Sequence, residues 1–173
     1  MQTLLPGKFT GIIQLVPTDT SQLLKLQSDT LLLYGDQQPI AKLHCTLLHQ
    51  SFPKKITTAE GLRGDKALKA LYKNGGHMGI PTPRLVLGDV KMGFTTSPNH
   101  RVSTYVEIEN SEELLATRDA ILEAAGLNPA DLKLDHLEQL RIFHISLTNL
   151  EGTGGASIAY PNVSDQRLVR LTK

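Results

Sequence analysis

Two short segments of this chain, KLHCTLLH at residues 42–49 and RIFHISLTN at residues 141–149, alternate apolar and polar side chains with a period of two. That period belongs to a β-strand, which sends successive side chains to opposite faces. In the first segment Leu43, Cys45 and Leu47 point into a core, while Lys42, His44 and Thr46 share the other face. In the second, Phe143, Ile145 and Leu147 go inward, and His144, Ser146 and Thr148 face out. Any fold for this chain has to seat both segments as half-buried strands. Each then displays an imidazole with a hydroxyl two residues on.

The remaining elements follow from periodicity and punctuation. Lys8 to Val16 reads as a strand that Pro17 breaks, and Asp19 to Gln27 as a short helix. Ile40 to Leu48 is the first histidine strand. A helix is predicted from about Glu60 to Tyr72, stopped by Asn74-Gly75-Gly76, where positive φ is tolerated. Arg84 to Phe94 and Arg101 to Glu109 read as two strands joined by the turn-rich TTSPNH. Asn110 or Ser111 can cap a helix over Glu112 to Ala125 that Gly126 ends, and a short helical stretch starts near Pro129. Phe143 to Asn149 is the second histidine strand, GTGG at 152–155 a loop, and Arg167 to Thr172 a final edge strand. The order strand, helix, histidine strand thus occurs twice. It predicts one domain over residues 1–173 with two related lobes, each ending in a histidine strand.

Composition narrows the function. Of 173 residues 40% are hydrophobic and 20% charged, ordinary for a globular protein, and the net charge is +1. A near-neutral chain lacks the basic excess of an extended nucleic-acid binder, so a long duplex partner is not expected. The single cysteine, Cys45, excludes an internal disulfide framework and any zinc site built on several thiolates. The start, MQTLLPGKFTG, lacks the basic and apolar pattern of a secretory signal, and no apolar run approaches a membrane span. A reduced, cytoplasmic location is expected, with no membrane partner.

Paired imidazoles suit phosphoryl chemistry. Histidine's ordinary pKa is about 6.5, so one copy can accept a proton while the other donates one. Thr46 and Ser146 can donate hydrogen bonds to non-bridging phosphate oxygens, whose charge changes in the transition state. A third His-x-Ser, His49 to Ser51, lies five positions from His44 and hence on the opposite face, so it is read as a decoy. His77, His100 and His136 are read as solvated structural residues. No metal-ligand spacing such as H-E-x-x-H occurs, and GTGG lacks the lysine and following helix of a phosphate loop. No metal or other cofactor is expected.

HCTL at 44–47 and HISL at 144–147 resemble the two His-x-Ser/Thr motifs of the 2H phosphoesterase superfamily. The segment RVSTYVEIENSEELLATRDAILEAAGL, followed by FHISLTNL, looks like that family's second half, and the likeness runs from about Lys8 to Leu150. It implies a bilobal α+β fold in which two antiparallel sheets with flanking helices enclose a central cleft. It also implies His44 and His144 as the catalytic pair, Thr46 and Ser146 as phosphate donors, no cofactor, and phosphodiester substrates. Those substrates include 2′,3′-cyclic phosphates, 2′-5′ links and cyclic nucleotides. The short chain looks more like the phage anti-CBASS nucleases, which degrade cyclic oligonucleotide signals in the host cytoplasm, than like the bacterial RNA 2′,3′-cyclic phosphodiesterases.

Lys42 and Tyr105 are candidate substrate-binding residues. With no Trp in the chain, base stacking falls to Tyr34, Tyr72, Tyr105, Tyr160 or a Phe. The leading expectation is a metal-independent phosphodiesterase acting on a small nucleotide, such as a cyclic di- or trinucleotide or a short RNA-like phosphodiester. The alternatives are an RNA 2′,3′-cyclic or 2′-5′ phosphodiesterase, a nucleotide-binding module without chemistry, and an assembly protein. Oligomeric state is not legible.

Overall fold

The structure, a computed structural model, describes residues 13–49, 51–94, 102–134, 143–150, 152 and 169–170. It is a mixed α+β protein. The strands are β1 (Ile13–Leu15), β2 (Gln38–Pro39), β3 (Cys45–Leu48), β4 (Leu87–Phe94), β5 (Val102–Ile108), β6 (His144–Asn149) and β7 (Val169–Arg170). The helices are α1 (Ser21–Leu33), α2 (Gly64–Lys73) and α3 (Ser111–Ala124).

The described strands join one sheet in the order β1-β3-β6-β5-β4-β7, with β2 also paired to β6. The pairings of β6 with β2, β3 and β5, and of β4 with β5 and β7, are antiparallel. Where the family resemblance implies two sheets, the described strands form one. The two histidine strands are direct neighbours in it, not opposed across a cleft. The reason lies in their apolar sets: Cys45 and Ile145 are register partners, and neither exposes any surface.

The chain divides into two compact units. One takes its described residues from Met1–Val16, Thr46–Arg84 and Asn110–Asp135; the other from Pro17–Cys45, Leu85–Glu109 and His136–Lys173. These units do not follow the two halves read from the sequence. His44 and His144, expected in separate lobes, both belong to the second.

In the second unit α1 lies against β6. Its buried Gln27 donates from Nε2 to the carbonyls of Ile40 (3.0 Å) and Leu147 (2.8 Å), satisfying two main-chain acceptors at once. Thr30 is also buried and returns its hydroxyl to the Leu26 carbonyl at 2.7 Å, while Leu32 and Leu33 stand 85% and 65% exposed. This reversal of polar and apolar positions lets the helix run six residues beyond the expected Gln27, to Leu33. The expected strand from Ile40 is interrupted: bends at Ala41 and Lys42 separate β2 from β3.

In the first unit α2 and α3 pack on each other and bury Leu68, Leu114 and Leu122. Full burial of such a side chain contributes about 1.5–3 kcal/mol. Helix α2 starts at Gly64 rather than Glu60, because Thr57 and Arg63 form a β-bridge and Gly64 N–H donates to the Ile56 carbonyl at 2.8 Å. Gly64 is also pressed against Pro53, which begins a 3₁₀ turn over Pro53–Lys55, and there an added Cβ would overlap the main-chain oxygen. Helices α2 and α3 are followed by Gly75 (φ 72°) and Gly126 (φ 78°), the stops expected from the sequence. Asn110 occupies the cap position of α3 but makes no side-chain cap bond; its amide donates to the Arg84 carbonyl at 2.5 Å. The stretch expected near Pro129 is a 3₁₀ turn, Pro129–Asp131.

Candidate functional site

The site is built on one face of the sheet in the second unit. Antiparallel partners direct their side chains to the same face. Cys45, Ile145 and Val106 are successive partners across β3, β6 and β5, all fully buried, so they define the core face. Their chain neighbours turn the other way. On that opposite face Glu107 partners His144, Tyr105 partners Ser146, and Lys91 of β4 partners Tyr105. His44 immediately precedes Cys45, just before β3 begins, and His144 immediately precedes Ile145, the register partner of Cys45. The two histidines therefore sit at the edges of directly neighbouring strands of one sheet.

His44 and His144 are both half-buried, as is Ser146. The Nδ1 of His44 lies 2.8 Å from the Lys42 carbonyl oxygen. A carbonyl only accepts, so Nδ1 carries the proton, and in the neutral ring Nε2 is left with its lone pair. The bends at Ala41 and Lys42 that interrupt the strand are what bring this carbonyl to the ring. The Lys42 side chain, expected to bind substrate, is exposed, and its carbonyl oxygen meets the His44 ring.

Tyr105 packs edge-on against His144, with ring centroids 5.2 Å apart and planes at 62°. The tyrosine is only 3% exposed. Burial, with the Glu107 charge adding to it, pushes its phenol up to about 12, so it remains a donor throughout the range in which histidines titrate. Lys91 Nζ lies 2.6 Å from Glu107 Oε1, in a pair whose side chains are 23% and 18% exposed. Sequence reasoning missed Glu107 and Lys91. The signal was present for Glu107, which shares the parity of Tyr105 on a strand already identified, but an isolated acid on a strand has no motif to mark it.

Other expectations are corrected. Thr148 has the parity of His144 yet is fully buried. It accepts from Thr104 Oγ1 at 2.5 Å and donates to Gln37 Oε1 at 3.2 Å, so its hydroxyl is engaged in the protein interior. His77 is not solvated: it is 9% exposed, its ring stacks on Tyr72 at 4.8 Å, and neither ring nitrogen has a hydrogen-bond partner among the described residues.

Thr46 is half-buried on β3, two positions on from His44, and is counted with the first unit. His49 is exposed just past β3, its Nδ1 3.0 Å from Ser51 Oγ and accepting from Ser51 N–H at 3.3 Å. His100, His136, Tyr160 and residues 153–155 of GTGG lie outside the described residues, as do the outer parts of the expected first and last strands.

Among the described residues no group of three or more His, Cys, Asp or Glu side chains is placed to hold a metal ion. No helix among them is long and apolar enough to cross a membrane. Comparison with family models, with curated proteins and with solved structures finds no match to this chain.

Proposed function

We propose that this chain is a phosphodiesterase of the 2H kind, cleaving small nucleotides by acid–base catalysis between His44 and His144 without a metal ion. The observation that carries this is their relation in the sheet. Two histidines 100 positions apart in sequence each immediately precede one member of the register pair Cys45–Ile145, on neighbouring strands of one sheet, and His144 packs against the buried Tyr105. The resemblance to the superfamily's two motifs supports the same chemistry and a bilobal fold.

Displacement at phosphorus needs a base on the attacking side and an acid on the leaving side. In a 3′-5′ link the substrate's own 2′-hydroxyl attacks. One imidazole takes its proton as the new P–O2′ bond forms, and the other protonates O5′ as the P–O5′ bond breaks. In a 2′,3′-cyclic phosphate, water attacks instead. Ser146 donates to the non-bridging oxygens, a part the family resemblance also gives to Thr46. Tyr105, held protonated, offers a further donor or a ring edge beside His144. Cyclic di- and trinucleotides, such as the signals of host anti-phage defence, are the leading substrates, acted on in the cytoplasm.

The test is incubation of purified protein with a panel of cyclic dinucleotides, cyclic trinucleotides, 2′-5′ oligoadenylate and 2′,3′-cyclic nucleotides, with products separated by chromatography. Turnover of at least one member is expected. Binding without turnover across the panel would favour a nucleotide-binding module instead.

A further inference from the structure

The two histidines do not have equivalent surroundings. His44 has its Nδ1 on a main-chain carbonyl. His144 has a carboxylate as its direct register partner on β5, which for opposed residues means Cβ atoms roughly 4.5–5.5 Å apart. That carboxylate is engaged through Oε1 by Lys91, which enters from β4 on the far side of β5. The strand order therefore puts the acidic group between the ammonium and the imidazole. With both Lys91 and Glu107 poorly exposed, solvent screens their fields only in part.

We infer that Glu107, steadied by Lys91, is a positioning residue that holds His144 as imidazolium and so gives it the acid's part in the first step, leaving His44 as the base. This rests on the two-histidine phosphodiesterase proposed above. A carboxylate beside an imidazole favours the charged ring, and the nearer charge outweighs the farther one. The charge is felt locally, since it also acts on the neighbouring Tyr105 phenol.

Among the described residues, the other charged groups on elements packed against β6 are engaged elsewhere or exposed. Lys25 and Asp29 of α1 pair with each other at 2.8 Å in solvent, and the Lys42 side chain is exposed. Glu109 is exposed beyond the end of β5. His44, as base, carries no charge before it takes the proton. In the step itself the 2′-hydroxyl proton passes to His44 Nε2 and the His144 proton to O5′. Glu107 touches neither reacting oxygen.

The experiment is an NMR titration of the histidine rings in the wild type, Glu107→Gln, Glu107→Asp and Lys91→Met, with His144 assigned by its loss in His144→Ala. Rate against pH is measured in parallel on whichever nucleotide is cleaved. Glu107→Gln is expected to lower the His144 pKa and to move the alkaline limb of the rate profile down with it. One unit corresponds to about tenfold in rate above that limb. KM should change little. Glu107→Asp should restore most of the shift, and Lys91→Met should not lower the His144 pKa, because it removes a repelling charge.

An unchanged His144 in Glu107→Gln overturns the inference, as does an equal fall in Glu107→Gln and Lys91→Met, which would mark the pair as merely structural. Turnover with an unmoved His144 leaves the phosphodiesterase standing and the inference fallen. A lowered His144 pKa in a protein that cleaves no nucleotide leaves the carboxylate–imidazole pairing standing and the activity fallen.

Discussion

Tyr105 ties the electrostatics of the candidate site to a stability that can be measured without knowing the substrate. Its phenol is pushed up to about 12 in the folded protein, by burial first and by Glu107 second, against 10.0 for the free side chain. Below pH 10 the phenol is protonated in both folded and unfolded chains, and its ionisation contributes nothing to pH dependence. Between 10 and 12 the unfolded chain releases this proton while the folded one retains it, so stability falls as pH rises. Each unit of difference is worth about 1.4 kcal/mol, which gives a loss of about 1.4 kcal/mol at pH 11, growing towards ~2.7 kcal/mol above pH 12.

Tyr105→Phe removes that ionisation. The assay is urea unfolding of wild type and Tyr105→Phe from pH 8 to 12. The difference at pH 8 sets the baseline for the lost hydroxyl, and taking it cancels the lysines and the other tyrosines. The wild type is expected to lose stability relative to the variant above pH 10. A wild-type-minus-variant difference that stays flat to pH 12 would show a phenol that titrates normally, and the dry, acidic surroundings inferred beside His144 would be wrong.

Four further outcomes are expected. His44→Ala and His144→Ala should each reduce turnover by roughly 10²–10⁴, the range for a lost general acid or base, while exposed His49→Ala stays near wild type in the same chromatographic assay. Ser146→Ala and Thr46→Ala should cost less, and the pair less than the product of the two, because residues acting as a unit are non-additive. Turnover should persist in EDTA and follow a bell against pH whose limbs belong to the coupled histidines; loss of activity restored by a divalent ion would contradict this. Gly64→Ala should destabilise the fold by about 1–3 kcal/mol in urea unfolding, since its Cβ would overlap the Pro53 carbonyl oxygen and backbone has to move.

The parts of the fold that were legible in sequence are those where side-chain period and burial coincide. Leu43, Cys45 and Leu47, and Phe143, Ile145 and Leu147, are buried as their alternation requires, and His44, Thr46, His144 and Ser146 keep the other parity. Gly126 was legible because few other residues accept its φ. What was hidden depends on polar groups with distant partners. Thr148 looks solvent-facing until Thr104 and Gln37, 44 and 111 positions away, satisfy its hydroxyl. Helix α1 looks finished at Gln27 because nothing local reveals that this amide will be buried on the carbonyls of Ile40 and Leu147. The pairing of β3 with β6, and with it the single sheet, rests on the register Cys45 to Ile145, which is invisible without a partner strand. Glu107 and Lys91 belong to the same class: each is an ordinary strand residue until β4, β5 and β6 are laid side by side.

The proposed chemistry is tested most directly by ³¹P NMR of one cleaved nucleotide incubated with wild type, His44→Ala and His144→Ala in EDTA, each variant first shown to be folded by circular dichroism. The wild type is expected to convert the phosphodiester signal, with both variants slower by at least about a hundredfold. Conversion at the wild-type rate by either folded variant would contradict a mechanism that needs both histidines.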